Sequence, residues 1–260
     1  MRVLISGASG LVGTELRSQL AALGHEPIAL VRRPAQSSSE IEWYPDRGYL
    51  SPDALDGIDA VVNLAGATTG RIPWTKKYRK QIVASRLDST RTLVEAIDRA
   101  KKKPKVLVSG SASGFYGDCG DLWLTEDSPK GTGFLSDLAA EWEQVALKAK
   151  TRVVLVRTTL VMSPSKGALA RLIPLIKLFV GGPIGTGKQW WSWISLRDEA
   201  RAIIHLINSD ASGAFNLTAP EPATCEDVIK SLARAARRPA LFRIPGWAMQ
   251  LHPGEAAQEL

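Results

Sequence analysis

Three glycines near the beginning of the chain, Gly7, Gly10 and Gly13, have the spacing of a nucleotide-binding turn. They follow the apolar residues 3–5 and precede a helical pattern, so the sequence predicts a strand that turns into a helix at the glycines. Backbone N–H groups at a helix N-terminus, together with the helix dipole, favour a bound phosphate. Glycine at such a corner also serves close packing alone, and it is the strand and helix around the turn that indicate a nucleotide site.

Two arginines end the second predicted strand. Arg32 lies 19 residues after Gly13, at the place where dinucleotide-binding proteins carry an acidic residue if they bind a free ribose 2′-hydroxyl. An arginine there suits a 2′-phosphate, so Arg32 and Arg33 favour NADP(H) over NAD(H). The alternative is that both side chains are solvated charges in the turn before Pro34.

The composition narrows the classes of protein and partner. The 260 residues are 45% hydrophobic and carry a formal net charge of +7, which predicts a globular protein with a full core and a preference for anionic partners. The sequence has no basic stripe with interleaved aromatic residues, and we expect no nucleic-acid partner.

Cys119 and Cys225 lack the spacing of metal ligands, and we expect no metal. The longest apolar stretch contains Arg171 and Lys177, so no membrane segment is expected and the cytoplasm is the default location.

Apolar runs alternate with helical patterns in the first half of the chain. This alternation is typical of the α/β class, with a Rossmann-type doubly wound parallel sheet. The long predicted helix at residues 75–101 has an apolar stripe on one side, which predicts a buried face. The predicted strands lie at residues 2–6, 26–31, 40–43, 60–64, 106–110 and 152–159, and a further helix lies at residues 135–148.

The pattern changes after residue 162. A loop, an apolar helix and a glycine-rich segment at residues 181–194 predict a smaller C-terminal substrate lobe. The chain is therefore divided into an NADP(H)-binding Rossmann domain at residues 1–162 and a lobe at residues 163–260, with segments that interleave with the sheet. Because residues 254–260 begin a helical pattern that has no stop, we expect the lobe to be incomplete at its end.

Two helices are predicted within the lobe. Asp198 is predicted to cap a helix that extends to residue 207, and Thr224 to open a helix that extends to residue 236. A short apolar run at residues 214–217, between these helices, predicts a strand.

The glycine turn, the segment Asn-Leu-Ala-Gly at residues 63–66 and the segment at residues 109–117 resemble the extended short-chain dehydrogenase/reductase superfamily, which contains nucleotide-sugar epimerases. Two longer segments, at residues 74–93 and 181–194, resemble its atypical epimerase-like branch. Members of that branch are NAD-dependent epimerase/dehydratase proteins of the short-chain dehydrogenase family 39U type. The similarity covers essentially the whole chain.

The resemblance implies that NADP(H) lies across the glycine turn and that the C-terminal lobe closes over its nicotinamide end. It also implies a homodimer formed through the helices at residues 75–101 and 135–148. The implied cofactor-binding residues are Gly7, Ser9, Gly10, Leu11, Val12, Gly13, Arg32, Arg33, Leu64, Ala65, Gly66 and Ser109.

The usual proton-transfer pair of the superfamily is absent from the sequence. Working members carry Tyr-x-x-x-Lys, in which the tyrosine transfers a proton and the lysine lowers the pKa of the phenol. The sequence has four tyrosines, and none of them is followed by a lysine four residues later. The place of the asparagine found in many extended members falls on Ser85 or Arg86. The places of the tyrosine and lysine fall on Phe134 or Leu135 and on Leu138 or Ala139.

Several other residues are candidates for the missing chemistry. The resemblance places Ser111 at the substrate-polarising serine, with the alternative that it closes the turn after its strand. Tyr116 either presents its phenol or satisfies a backbone group in its loop. Lys188, Gln189 and Trp190 are candidates for binding an anionic or planar small-molecule substrate, with solvated or packed side chains as the alternative.

Two functions stay open on the sequence. The first is an NADP(H)-dependent oxidoreductase or epimerase acting on a small polar or nucleotide-linked substrate. The second is a non-catalytic NADP(H)-binding sensor or regulatory protein, which the resemblance links to cell division. The retained glycines and arginines slightly favour the first, and the missing proton donor favours the second.

Overall fold

The computed structural model describes residues 1–71, 73–179, 181–240 and residue 243. The strands of this part are β1 (Arg2–Ser6), β2 (Glu26–Val31), β3 (Glu40–Tyr44), β4 (Tyr49–Leu50), β5 (Ala60–Asn63), β6 (Val106–Ala112), β7 (Arg152–Thr158), β8 (Leu160–Met162), β9 (Trp193–Ser195) and β10 (Gly213–Leu217). The α-helices are α1 (Leu11–Ala22), α2 (Lys76–Arg99), α3 (Phe134–Ala146), α4 (Gly167–Lys177), α5 (Leu196–Asn208) and α6 (Cys225–Ala235).

Eight of these strands form one sheet in the order β10-β7-β6-β5-β1-β2-β3-β4. The pairs are parallel, except that β4 runs antiparallel to β3. The order reverses at β1, whose neighbours are β5 and β2, and open α/β sheets bind ligands at the carboxyl ends of the strands at such a point. The Rossmann-type α/β fold is thereby confirmed.

Helices cover both faces of the sheet because the buried strands are apolar on both sides. On one face, Leu16 and Leu20 of α1 and Ile203 of α5 pack against β1, β5, β6 and β7. On the other face, α2 and the end of α3 cover the alternate residues of the same strands. The predicted buried face of α2 is confirmed, since Ile82, Leu87, Thr90, Leu93, Val94 and Ile97 are all buried.

The prediction for the start of α5 is wrong by three residues. Ser195, not Asp198, is the N-cap, and its hydroxyl accepts the N–H of Asp198 at 3.0 Å. Asp198 instead lies in the first turn, where a carboxylate is stabilised by the positive end of the helix dipole. Both residue types suit a helix start, so the sequence pattern alone does not separate their roles. Thr224 does cap α6, in a reciprocal capping box with Asp227.

The later part of the chain contributes both to the main sheet and to a separate small cluster. β8 and β9 pair in parallel as a two-stranded sheet, and α4 packs on α6 through Ile176, Cys225 and Ile229. Helix α5 and strand β10 return to the main sheet. The boundary at residue 162 stays a prediction, and the helical pattern at residues 254–260 lies outside the described residues. Over the described ranges, no helix is both long and apolar enough to cross a bilayer.

One carboxyl group is buried where α5 crosses the end of β7. Glu199 is fully buried, and its Oε1 accepts a hydrogen bond of 2.7 Å from the hydroxyl of Thr158. Its Oε2 is buried without a hydrogen-bond partner among the described residues. Burial raises the pKa of Glu199 to about 7, against the smaller opposing effect of the Thr158 hydrogen bond.

The pKa of Glu199 predicts a pH dependence of stability. The folded state keeps this carboxyl protonated in a range where the unfolded chain ionises it, so stability is lost as the pH rises from about 4.5 to about 7. In Glu199→Gln this loss is absent. We expect the unfolding free energies of wild type and variant to diverge across that range by on the order of 3 kcal/mol, in favour of the variant at the higher pH.

Urea unfolding at a series of pH values between 4.5 and 7.5 measures this difference directly. Glu141→Gln, which removes an exposed carboxylate on α3, is the matched control and should run parallel to wild type. Parallel curves for Glu199→Gln and wild type would contradict the prediction.

Candidate functional site

The glycine turn joins three backbone segments so closely that side chains are excluded. A Cβ atom at Gly7 would lie 2.4 Å from the carbonyl oxygen of Leu64, and one at Gly13 would lie 2.3 Å from the carbonyl oxygen of Gly7. Gly7 also has a φ of +66°, which disfavours other residues. The carboxyl end of β1, the segment after β5 and the first turn of α1 therefore meet at one place.

The N-terminus of α1 opens at this turn without a side-chain cap. Gly10 is the N-cap, and its N–H donates to the carbonyl of Gly7 at 2.9 Å. Thr14 is the first residue of the helix whose N–H reaches back to Gly10, at 3.0 Å. The N–H groups of residues 11–13 accordingly have no intrahelical acceptor. Three donors and the positive end of the helix dipole are available to an anion here.

Ser6 and Asn63 fix the segment that lies beside the turn. Ser6, at the end of β1, donates its hydroxyl to Asn63 Oδ1 at 2.6 Å. The same Ser6 oxygen accepts the N–H groups of Leu64 and Ala65 at 3.1 and 3.2 Å. The side chains of Ser6 and Asn63 are fully buried. Water therefore does not compete for the hydrogen bonds that fix residues 64 and 65.

This polar arrangement continues into α2 and α3. Asn63 Nδ2 donates to Thr90 Oγ1 at 2.8 Å, and the indole N–H of Trp142 donates to the same oxygen at 2.8 Å. Ser6 and Asn63 are not among the predicted site residues, although both are polar residues at the carboxyl ends of predicted apolar strands. That position is the pattern by which they could have been found.

The two arginines at the end of β2 have different surroundings. Arg33 makes a two-pronged contact with Glu40, at 2.8 and 2.7 Å, and this hydrogen bonding lowers the pKa of Glu40 to about 2. Arg32 is exposed and has no hydrogen bond or ion pair within the described part of the chain. Arg17 of α1 also acts on Glu40 by its charge, and its Nε is buried without a hydrogen-bond partner there. Two cations, Arg33 and Arg17, thus act on one carboxylate.

Ser111 belongs to a buried ion-pair network. Its hydroxyl donates to Glu143 Oε1 at 2.6 Å. The same carboxylate accepts two hydrogen bonds from Arg157, at 2.8 and 2.9 Å. All three side chains are buried. Because a serine hydroxyl has a single hydrogen, Ser111 in this arrangement has none left for a ligand oxygen.

Tyr116 extends this network to β10. Its phenol accepts a hydrogen bond of 2.8 Å from Arg157 and donates one of 2.7 Å to Asn216 Oδ1. The guanidinium of Arg157 also lies 3.6 Å from the ring centroid of Phe115. Tyr116 is buried, so its phenol serves the packing of its loop in this conformation.

The positions at which the superfamily usually carries its tyrosine and lysine hold apolar side chains. Phe134 begins α3, and Leu138 and Ala139 are buried one turn later. None of these side chains ionises. These positions of α3 therefore present apolar side chains and no proton donor. The carboxylate of the first turn, Asp137, accepts a hydrogen bond of 2.6 Å from Lys130.

The remaining predicted site residues lie in two different environments. Ser109 is fully buried, with its hydroxyl 3.3 Å from the carbonyl of Gly110. Lys188, Gln189 and Trp190 are exposed before β9. Gln189 donates to the carbonyl of Ile184 at 3.0 Å, and Trp190 donates to Asp121 at 2.6 Å, which joins this segment to the loop that follows Tyr116.

Comparisons with known proteins agree with this geometry. A family model described as the NAD dependent epimerase/dehydratase family matches residues 3–218. The chain is 37% identical over 261 residues to an epimerase family protein of Mycobacterium leprae, covering 99% of this chain and 84% of that protein. It is 34% identical over 276 residues to the chloroplastic homologue of epimerase family protein SDR39U1 in Arabidopsis thaliana, covering 99% and 77%.

The chain also resembles solved structures. It superposes on the crystal structure of human epimerase family protein SDR39U1 (isoform 2) with NADPH at a TM-score of 0.89 and 32% identity, covering 100% of this chain and 89% of that one. A nucleoside-diphosphate sugar epimerase from Corynebacterium glutamicum gives a TM-score of 0.80 at 33% identity, with 96% of this chain and 54% of that one covered.

The close approach at Gly13 predicts a large cost for the smallest side chain. Gly13→Ala places a methyl group against the backbone of Gly7, which cannot turn aside, and we expect a loss of about 1–3 kcal/mol in unfolding free energy. Gly114→Ala is the matched control, because its Cβ would meet only Leu135 at an ordinary 3.5 Å. We expect it to change stability by less than about 0.5 kcal/mol. Equal effects in chemical denaturation would contradict the prediction.

The buried pair of Arg157 and Glu143 predicts a non-additive double mutant. Arg157→Met leaves a buried carboxylate without its cation and should cost about 3–5 kcal/mol in unfolding free energy. Adding Glu143→Leu removes that unpaired charge, so the double variant should be more stable than Arg157→Met alone. If the loss in unfolding free energy of the double variant equals the sum of the losses in the two single variants, the pair is not coupled.

Proposed function

The chain belongs to the NAD dependent epimerase/dehydratase family, and on that premise we propose that it is an NADP(H)-binding oxidoreductase with an atypical active site. Its substrate would be a small polar or nucleotide-linked molecule. The observation that carries the proposal is the glycine turn. There, three backbone segments meet so closely that no side chain fits, and three N–H donors of α1 have no acceptor among the described residues.

The residues around the turn fit a dinucleotide. The diphosphate would lie on the N–H groups of the first turn of α1, where charge and donors favour it. The segment that Ser6 and Asn63 hold in place would lie under the adenosine ribose. The proposed cofactor-binding residues are Gly7, Ser9, Gly10, Leu11, Val12, Gly13, Arg32, Arg33, Leu64, Ala65 and Gly66, with Ser109 supporting them from within the sheet.

The charges at the end of β2 support NADP(H) rather than NAD(H). Arg32 has no carboxylate partner in the described part of the chain, and Glu40 is already neutralised by Arg33. A 2′-phosphate beside these residues would meet a positive potential. The human relative that was crystallised with NADPH supports the same choice of cofactor.

The bound cofactor would supply hydride chemistry at its nicotinamide ring, and the chain's own residues would bind, orient and desolvate the reactants. Ser111 and Tyr116 donate within the protein, so we propose that they shape the site and that the proton comes from water. Lys188, Gln189 and Trp190 are proposed to form the substrate side of the site from the smaller lobe. General acid catalysis typically contributes ~10²–10⁴ in rate, so slow turnover is expected.

A second candidate is favoured by one observation. Both hydroxyl groups that would replace the missing acid are donors inside a buried network. A protein with that arrangement would bind NADP(H) without turnover, as a sensor or regulator whose conformation depends on the cofactor. The homodimer through α2 and α3 stays a prediction under either function.

Turnover discriminates the two functions. We expect slow oxidation of stoichiometric NADPH, followed at 340 nm overnight, with at least one member of a panel of aldehydes, ketones and nucleotide-sugars. Ser111→Ala should alter the rate through its effect on the network, while Ser51→Ala, at a half-buried serine whose hydroxyl bonds only to Asp53 within the described residues, leaves it unchanged. Binding of NADPH with no oxidation across the panel would favour the sensor instead.

The choice of cofactor has its own test. Arg32→Asp together with Arg33→Ala should weaken NADPH binding by at least about tenfold, because hydrogen bonds to charged groups contribute about 1.5–3 kcal/mol each. NADH binding should change much less, since that molecule has no 2′-phosphate. Arg91→Ala, an exposed charge on α2, is the control in the same calorimetric titration. Equal losses for both cofactors would remove the 2′-phosphate argument.

A further inference from the structure

Arg86 of α2 is a half-buried cation beside the proposed cofactor segment. Its Nη1 donates to the carbonyl oxygens of Ala67 and Ile82, at 3.1 and 3.0 Å. Its Cζ lies 5.3 Å from the ring centroid of Trp142. Burial lowers the pKa of Arg86 to about 10, which reflects how little of its charge is compensated by its neighbours.

The guanidinium has donors to spare. Arginine carries five N–H donors, and the two contacts of Arg86 use only the pair on Nη1. Across the described ranges, no carboxylate lies within ion-pair distance of Arg86, and its Nη2 and Nε have no acceptor. Neither of these two atoms is sealed from solvent. Buried cations are normally paired, so these two atoms are available to pair with an anion.

Because Gly66 has no side chain, the guanidinium of Arg86 is uncovered on the side of the proposed cofactor segment. A Cβ atom at Gly66 would lie 3.2 Å from Cζ of Arg86 and 3.4 Å from both terminal nitrogens. Gly66 ends the segment proposed to lie under the cofactor, so Arg86 adjoins the cofactor site from the α2 side. A larger side chain at residue 66 would press on the guanidinium or cover it.

Further positive charge lies near residues 67–71, which follow the proposed cofactor segment. Arg171 of α4 donates to the carbonyl of Gly70 at 2.6 Å, and Arg71 stacks 5.0 Å from the ring centroid of Tyr78. Residues 60–87 include six lysines and arginines and no aspartate or glutamate. This run of positive charge favours an anionic ligand at this edge.

We propose that Arg86 is an oxyanion-binding residue of the substrate site, and that the substrate carries a carboxylate or phosphate group that pairs with its free N–H donors beside Gly66. This inference rests on the proposed function, since it names the class of substrate that would share the site with NADP(H). The diphosphate of the cofactor is assigned to the N-terminus of α1, which leaves the donors of Arg86 for a second anion. Planar guanidinium groups suit both carboxylate and phosphate.

The test uses orthophosphate and malonate as probes. Each is titrated into the NADPH-saturated full chain at constant ionic strength, with chloride as the reference anion, and binding is followed by the shift in Tm and by tryptophan fluorescence. We expect both probes to bind the wild type and the Arg86→Met variant to bind them at least tenfold more weakly with unchanged NADPH affinity. Arg91→Met, which removes an exposed charge from the same helix, should behave as wild type.

Other outcomes decide against the proposal in distinct ways. The proposal is overturned if the Arg86→Met variant binds the probes as tightly as the wild type does. It is also overturned if this variant loses affinity for NADPH and keeps its affinity for the probes, because Arg86 would then bind an anionic group of the cofactor. If Arg86→Met does not fold, Arg86→Lys takes its place, since it keeps the charge and loses the planar donor pair. Titration of the probes without NADPH tests Arg86 even if the wild type does not bind the cofactor, so the two proposals fail separately.

Discussion

The structure depends on one steric constraint, the contact of three backbone segments at Gly7. The carboxyl end of β1 passes within a side chain's width of the segment after β5, and the first turn of α1 lies against the same peptide. This contact directs the free N–H groups of α1 toward the carboxyl edge of the sheet. The glycines are therefore required by the packing of the backbone, and the proposed ligand site is formed by backbone that any larger residue would displace.

Buried polar side chains then hold the edge of the sheet in shape. Ser6 and Asn63 order the segment beside the glycine turn, and Thr90 ties it to α2 and α3. Further along the edge, Arg157 and Glu143 form an ion pair. Glu143 accepts a hydrogen bond from the hydroxyl of Ser111, and Arg157 donates one to the phenol oxygen of Tyr116. The same network engages the hydroxyl groups of Ser111 and Tyr116, the two that the sequence suggested as replacements for the missing acid.

Local patterns predicted much of this arrangement. The parallel sheet, the buried face of α2 and the cap at Thr224 follow from periodicity and from residue types that act on their immediate neighbours. Ser195 was missed as a cap because Asp198, three residues later, suits a helix start equally well. The partners of Ser111 were missed for another reason. Glu143 and Arg157 lie 32 and 46 residues further along the chain, and only the fold brings them to the same strand end.

The central claim is that the glycine turn and the arginines after β2 form a site for NADP(H). Calorimetric titration of the wild-type chain with NADPH, and in parallel with NADH, tests it most directly. We predict one site per chain that binds NADPH at least about tenfold more tightly than NADH, in proportion to the charge-assisted hydrogen bonds that only the 2′-phosphate makes. Absence of binding for both molecules would contradict the account, whatever the turnover assays show.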